Sequence, residues 1–245
     1  MKLSAAARSD VGRRRRANED TYALAPSLGL YLVADGMGGH VAGQVASQLA
    51  AKSTVEALRK VHARDATLTE KLRYCVAWAN RHIFETAEAK PELAGMGTTL
   101  VAVLAGRGRV ALAHVGDSRA YLVRGGRIRQ LTDDHSLVAE LVRRREIAPE
   151  AAHDHPHRHV LTRAIGVRRR VDADLAELTP TSGDVIALCT DGLTNHVGDA
   201  EIATAVANEE RLDDACARLV DLANHRGGED NITVALIRCD ENAVA

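Results

Sequence analysis

Two hydrophobic periods alternate along this chain. Val41, Val45, Leu49, Lys52, Val55 and Glu56 follow a helical spacing, with Ala42, Ala46 and Ala50 beside the apolar members. Leu68, Leu72, Cys75, Val76, Ala79, Ile83 and Ala87 draw a cleaner stripe, and Leu212, Ala215, Cys216, Leu219, Val220 and Ala223 draw a third. Between these helices lie short apolar runs, mostly rich in β-branched residues, at 30–34, 100–104, 110–115, 120–123, 185–189 and 232–237. Continuous apolar runs predict strands covered on both faces. Gly106-Arg107-Gly108 and Gly125-Gly126 carry hairpin chemistry, so neighbouring strands are expected to run antiparallel. No internal repeat and no linker rich in Pro, Ser or Gly interrupts the pattern. The expected fold is α+β, a single domain of packed antiparallel sheets with outer helices.

What stands at the ends of the strands carries the chemistry. The run 30–34 stops at Asp35-Gly36, 185–190 stops at Asp191-Gly192, and 111–115 stops at Gly116-Asp117. In the opposite sense, Glu19-Asp20 precedes Thr21-Tyr22-Ala23-Leu24, and Asp230-Asn231 precedes Ile232-Thr233-Val234. In an antiparallel sheet the two kinds of end lie side by side, so these acids can collect on one edge. Crowded carboxylates at the rim of an apolar core repel one another and lose hydration, and must protonate or find a cation. Oxygen-only ligation suits hard divalent ions such as Mg²⁺ or Mn²⁺ rather than Zn²⁺. Any single Asp-Gly is equally a turn signal, so the pattern alone leaves turn chemistry and a metal site both open.

Composition narrows the classes. Among 245 residues, Lys+Arg 32 against Asp+Glu 33 gives a formal net charge of −1, ordinary for a globular protein and without a long-range field for nucleic acid or anionic membrane. One Trp, one Phe and four Tyr are too few to build stacking platforms for single strands. Arg13, Arg14, Arg15 and Arg16 form a basic run, but no nucleic-acid module accompanies it. Cys75, Cys189, Cys216 and Cys239 are widely spaced among apolar neighbours, as expected of reduced cytosolic thiols. No signal-peptide core and no membrane-length apolar run occurs. A cytoplasmic protein without membrane or nucleic-acid partners is expected.

The ordered motifs resemble a family. Arg15-Arg16-Ala17-Asn18-Glu19-Asp20 resembles the R-x-x-N-E-D opening of the metal-dependent Ser/Thr protein phosphatases of type 2C. Ala34-Asp35-Gly36-Met37-Gly38-Gly39-His40 is similar to the bacterial version of the second motif. Gly95-Met96-Gly97-Thr98-Thr99, Val115-Gly116-Asp117-Ser118-Arg119, Thr190-Asp191-Gly192-Leu193 and Asp230-Asn231-Ile232-Thr233 follow in the family's order. The match runs from about Ser9 to Ile237, nearly the whole chain. It implies a β-sandwich flanked by helix pairs, in four layers, over 1–240, with a flap-like segment at about 134–162 and a short tail at 241–245. No anchor or further domain is expected.

The resemblance also implies roles. Asp35 bridges two ions, the Gly36 carbonyl completes one site, and Asp191 with Asp230 the other. Asp117 matches the main ligand of a third, weaker ion. Two ions about 3.5–4 Å apart share a water, lower its pKa and aim it in line at phosphorus. Arg15 grips phosphate oxygens in a bidentate fork, while Glu19 and Asp20 hold metal-bound waters. Asn231 orients Asp230 or satisfies its local turn. Mn²⁺ and Mg²⁺ both fit, and the Irving–Williams order favours Mn²⁺ at equal concentration. The implied reaction is hydrolysis of phosphoserine and phosphothreonine in proteins, by a monomer opposing bacterial Ser/Thr kinases. A small regulatory phosphoprotein is an alternative target. A silent, binding-only member is the alternative class, and the intact Asp35, Asp191, Asp230 and Arg15 speak against it.

Two features depart from the family pattern. Animal members place a proton-donating His directly after Asp-Gly, where this chain has Met37, which cannot donate. His40 is the nearest candidate acid, with helix-start packing or capping as its competing role. The second is His153-Asp154-His155-Pro156-His157-Arg158-His159. Alternate histidines on an extended strand would share one face and could bind Zn²⁺ or Ni²⁺, and a solvated polar loop is the alternative. Arg143, Arg144 and Arg145 suggest a charged helix face that meets acidic or phosphorylated segments.

Overall fold

The computed structural model describes residues 2–39, 41–152 and 155–240. In chain order they form β1 (Lys2–Asp10), β2 (Asp20–Ala25), β3 (Leu30–Met37), α1 (Val41–Val61), α2 (Leu68–Ala89), β4 (Gly97–Thr98), β5 (Leu100–Gly106) and β6 (Arg109–Val115). β7 (Arg119–Arg124), β8 (Arg127–Gln130), α3 (Leu137–Arg143), β9 (Asp174–Leu178), β10 (Val185–Cys189), α4 (Asp191–Thr194), α5 (Asp199–Asn208), α6 (Leu212–His225) and β11 (Ile232–Asp240) follow. One sheet runs β1-β11-β10-β7-β8 and the other β2-β3-β5-β6-β9, with β4 on the end of β3. The named strand pairs are antiparallel. The expected α+β class and the four layers are both present.

Alternation along each strand sorts side chains into three cores. Leu30, Leu32 and Ala34 of β3 face α1 and α2, while Tyr31 and Val33 face the opposing sheet. On β10, Ile186 and Leu188 fill the space between the sheets, and Val185, Ala187 and Cys189 pack under α5 and α6. Both faces are dry, which is why the runs carry no polar alternation. Each fully buried Leu or Ile contributes about 1.5–3 kcal/mol. α1 presents Ala42, Gly43, Ala46, Ala50 and Ala57 inward, small residues that let it lie close against β3 and α2. α2 starts on a capping box, Thr67 accepting from the Glu70 amide while Glu70 accepts from Thr67, a cap that contributes about 1 kcal/mol.

β1 and β9 are among the strands not foreseen from the pattern. β1, a run of Ala, Ser and Arg, pairs residue for residue with β11, from Lys2 opposite Asp240 to Asp10 opposite Ile232. Its backbone bonds and the neighbour it covers override its weak strand propensity. β9 pairs with β6, bringing Asp174 opposite His114. All four cysteines are free and buried. Among the described residues, no helix is long and apolar enough to cross a membrane.

Candidate active site

The acids read at the strand ends meet at one edge of the sandwich. β3 does not stop before Asp35 but continues through Asp35 and Gly36 to Met37, so Asp35 is a strand residue, directly opposite Asp20 on β2. Like charges directly opposite on antiparallel strands repel. Asp191 starts α4 just past β10, Asp117 follows β6, and Asp230 precedes β11. The field of one acid reaches the next. Desolvation in the cleft holds Asp35 well above the usual carboxylate range, reinforced by Asp20, Asp191, Asp117 and Asp230. Asp117 is held well above it by desolvation, Asp191 and Asp134. Asp191 is raised by desolvation and by Asp230, against the lowering effect of its neighbours Asp35 and Asn195, the latter donating to Asp191 Oδ2 at 3.2 Å. Asp20 is pushed up to about 7 by burial, against the lowering effect of hydroxyls on Thr233 and Thr190.

Neutral groups hold these acids in place. The Asp35 amide donates to Thr99 Oγ1 at 2.9 Å, and its carbonyl accepts from the Thr99 amide at 2.8 Å and the Thr98 hydroxyl at 2.8 Å. Thr99 Oγ1 in turn pairs with Ser118 Oγ at 2.6 Å, beside Asp117. Thr190 Oγ1 donates to Asp20 Oδ2 at 2.8 Å and accepts from the Thr233 amide at 3.0 Å, joining β2, β10 and β11. Gly36 approaches α1 so closely that a Cβ there would lie 2.1 Å from the Gly43 carbonyl oxygen, and a Cβ on Gly43 would lie 1.9 Å from Glu19 Oε2. Glu19 is thereby placed between the Asp-Gly strand and the start of α1. Arg15 Nη2 donates to Asp230 Oδ2 at 2.7 Å, with the guanidinium half exposed at the cleft mouth. Arg15, Glu19, Asp20, Asp35, Gly36, Asp117, Asp191 and Asp230 thus line one cleft. His40 lies outside the described residues.

Comparison with known proteins fixes what this edge belongs to. The protein phosphatase 2C family model matches residues 13–236. The chain belongs to that family. The serine/threonine phosphatase stp of Listeria monocytogenes is 41% identical over 241 residues, covering 95% of this chain and 94% of that protein. The crystal structure of the Mycobacterium tuberculosis serine/threonine phosphatase PstP/Ppp superposes with a TM-score of 0.88 at 39% identity, over 98% of this chain and 99% of that one. A structure of the catalytic domain of PstP in complex with two manganese ions gives a TM-score of 0.86 at 38% identity, over 98% and 99%.

In this phosphatase 2C fold, several supporting residues lay beyond the motif reading. Asp134 takes Arg119 in a fork, with Nε at 3.0 and 3.1 Å and Nη2 at 2.7 Å, next to Asp117. Its sequence neighbour His135 joins three parts of the chain. His135 Nδ1 accepts from the Gly116 amide at 3.1 Å, and its own amide donates to the Gly116 carbonyl at 2.8 Å. Its carbonyl accepts from the Thr162 amide at 2.8 Å. Since Nδ1 accepts, the ring proton sits on Nε2, which faces Asp174 Oδ2 at 3.1 Å. His114, His135 and Asp174 bring ligand atoms within 4.8 Å of one another, but this hydrogen-bond order makes His135 a relay to Asp174 rather than a metal ligand. No short motif signals it, because the partners are 19 and 39 residues away.

The histidine-rich segment does not form the extended strand considered above. Among the described residues 155–159, the backbone turns twice, with Arg158 N–H donating to His155 O at 3.1 Å and Val160 N–H to His157 O at 3.1 Å. His155 Nδ1 accepts from the His157 amide at 3.1 Å, so alternate rings do not share a strand face. Proline and local side-chain acceptance favour turns over a sheet here. His153 lies outside the described residues. α3 ends at Arg143, so Arg144 and Arg145 lie past the helix on which a charged face was expected, and Arg144 reaches back to pair with Glu140 at 3.6 Å.

Asn231 is the pivot of the Arg15 loop. Its Oδ1 accepts from the Glu19 amide at 2.8 Å, and its Nδ2 donates to the Val11 and Ala17 carbonyls, both at 2.9 Å. Replacing it by Ala strands a buried amide, so Asn231→Ala is expected to cost about 1–3 kcal/mol, read as a lower denaturant midpoint with unchanged m-value.

Proposed function

We propose that this protein is a metal-dependent phosphoprotein phosphatase that hydrolyses phosphoserine and phosphothreonine. The observation that carries the reading is the convergence of Asp20, Asp35, Asp117, Asp191 and Asp230 on one cleft, where burial and neighbouring carboxylates raise the proton affinity of Asp20, Asp35, Asp117 and Asp191. Such a cluster is stable at neutral pH only with protons or cations. The donor set suits hard divalent ions. It offers only oxygens, and Asp20 Oδ1 and Asp191 Oδ1 are buried without a hydrogen-bond partner among the described residues. Asp35, the Gly36 carbonyl, Asp191 and Asp230 would hold two ions, Mn²⁺ or Mg²⁺, with Asp117 available to a third. Bound ions supply the activation of water and the neutralisation of the phosphate dianion.

The chain's own residues supply the rest. Arg15, exposed at the mouth and leaning on Asp230, offers its free guanidinium nitrogens to phosphate oxygens. Buried Asp20 and Glu19 orient water from beneath, Asp20 fixed by Thr190. His40 is the candidate proton donor to the leaving oxygen. His135 ties the segment at 134–162 to Gly116 beside Asp117, and a bridge between Ser136 and Leu161 joins the segment's two ends, which suits a flap over the substrate. The fuller reading is a monomeric, cytoplasmic enzyme opposing Ser/Thr kinases; four free buried thiols suit a reducing compartment, and relatives are named serine/threonine phosphatases.

Hydrolysis of para-nitrophenyl phosphate and a phosphothreonine peptide, titrated with Mn²⁺ and Mg²⁺, tests the reading. Turnover is expected to need metal and to vanish in Asp191→Ala. A folded protein without turnover at any metal concentration overturns it.

A further inference from the structure

Three consecutive arginines, Arg168, Arg169 and Arg170, are not used by the chemistry above. Their loop is built, not slack. Asn80 of α2, 1% exposed, accepts the Gly166 amide at 2.8 Å and donates to the carbonyls of Arg168 at 3.0 Å and Arg169 at 3.2 Å. Gly166, at φ 89°, lies so near Ile83 that a Cβ would meet its Cγ2 at 2.2 Å. Ile165 exchanges backbone hydrogen bonds with Thr98, whose hydroxyl holds the Asp35 carbonyl. The loop backbone is therefore fixed relative to the carboxylate cleft, while all three arginine side chains are exposed. Arg163 nearby is neutralised by Asp174 at 2.6 Å. Among the described residues, none of the three loop guanidinium groups forms an ion pair.

An apolar ledge joins cleft to loop. A Cβ on Gly97 would lie 2.7 Å from both Met37 Cε and Val167 Cγ2, so these two side chains close over that glycine. Beyond the ledge is a groove of about 280 Å³ bounded by Met37, Val167, Arg168 and Arg170, with Asp172 its one acid. In a chain of net charge −1 this is a local excess of positive charge. Met37 is two strand positions past Asp35, about 7 Å, and an extended peptide advances about 3.3 Å per residue. A bound peptide would therefore reach the groove about two to four residues from the side chain in the cleft.

We propose that this groove docks an acidic segment of the phosphoprotein substrate, flanking the phosphorylated residue. The inference rests on the phosphatase reading and deepens it. Guanidinium groups at a fixed distance from the cleft select carboxylates at a matching spacing, a preference that salt screens.

The test compares two phosphothreonine peptides of equal length, one with Asp and Glu two to four residues from the phosphothreonine and one with Ser and Gln there. The wild type is expected to favour the acidic peptide in kcat/KM by about tenfold at low salt, mostly through KM. The Arg168→Glu/Arg170→Glu double variant, altered only at exposed side chains, is expected to lose that ratio and to favour a Lys-flanked peptide instead. Equal use of both peptides by the wild type, or a variant that keeps the ratio, overturns docking but leaves the phosphatase intact. A parallel loss on para-nitrophenyl phosphate would place the arginines' effect in the cleft itself and also overturns docking. A wild type that hydrolyses neither peptide nor para-nitrophenyl phosphate removes the phosphatase reading and this one with it.

Discussion

Asp35→Asn is expected to lower turnover of both para-nitrophenyl phosphate and a phosphothreonine peptide by about a thousandfold or more, some 4 kcal/mol of transition-state stabilisation at about 1.4 kcal/mol per decade. Asp35 feels Asp20, Asp191, Asp117 and Asp230 together, so no other side chain reads so much of the cluster. The amide is the same size, and the backbone bonds to Thr98 and Thr99 do not involve the side chain. The fold should therefore survive. Without divalent ions the variant should melt higher than the wild type, because an amide sits in a desolvated cluster without having to take up a proton or a cation. Steady-state kinetics with saturating Mn²⁺, paired with thermal unfolding in EDTA, reads both effects. Activity above a tenth of wild type would remove Asp35 from ion binding. A lower melting temperature in EDTA would mean that Asp35 is a structural residue.

The layers were legible in the sequence because both faces of the central strands are dry. Runs such as 185–189 and 232–237 have no other economical reading, and β10 (Val185–Cys189) matches its run residue for residue. β1 was not legible. Ala5, Ala6 and Ala7 carry no strand signal of their own, and only the edge of β11 makes them a strand. The acids were legible as a set, since repetition at strand ends is a sequence pattern. Their geometry was not. Asp35-Gly36 reads as a turn, yet β3 passes straight through it and pairs Gly36 with Thr98. The supporting hydroxyls of Thr99, Ser118 and Thr190 were invisible for a different reason. Ser and Thr are common everywhere, and only the fold shows which of them meet a carboxylate or its backbone. His135 is the sharpest case, a buried ring whose Gly116 and Asp174 partners come from separate strand ends.

Removing divalent ions is expected to lower the melting temperature by about 5–10 °C at pH 8, taking about 2.7 kcal/mol for ions at a hundredfold excess over Kd and about 2–4 °C per kcal/mol at this chain length. The pH dependence of the stripped protein has the more diagnostic sign. Asp35, Asp117 and Asp191 are all raised, and Asp20 stands at about 7. Above about pH 4 the folded protein therefore holds protons that the unfolded chain has lost, and its stability rises as pH falls towards and through those raised values. Two groups oppose this at lower pH. Burial drives His114 down to about 3, and His135 is also lowered by burial. Below about pH 6.5 the unfolded chain takes up protons that these rings refuse, and stability is lost. Asp174, Asp184 and Glu201 have lowered values, so they stay ionised in the folded protein and give way only below about pH 4. The melting temperature in EDTA should thus climb between about pH 8.5 and 7, level off, and fall below about pH 6. With Mn²⁺ the climb should disappear, since the ions already neutralise the cluster. Thermal unfolding across that range, with EDTA or Mn²⁺, is the measurement. A stripped protein that loses stability from pH 8.5 to 7 would show that these carboxylates do not share one desolvated cleft.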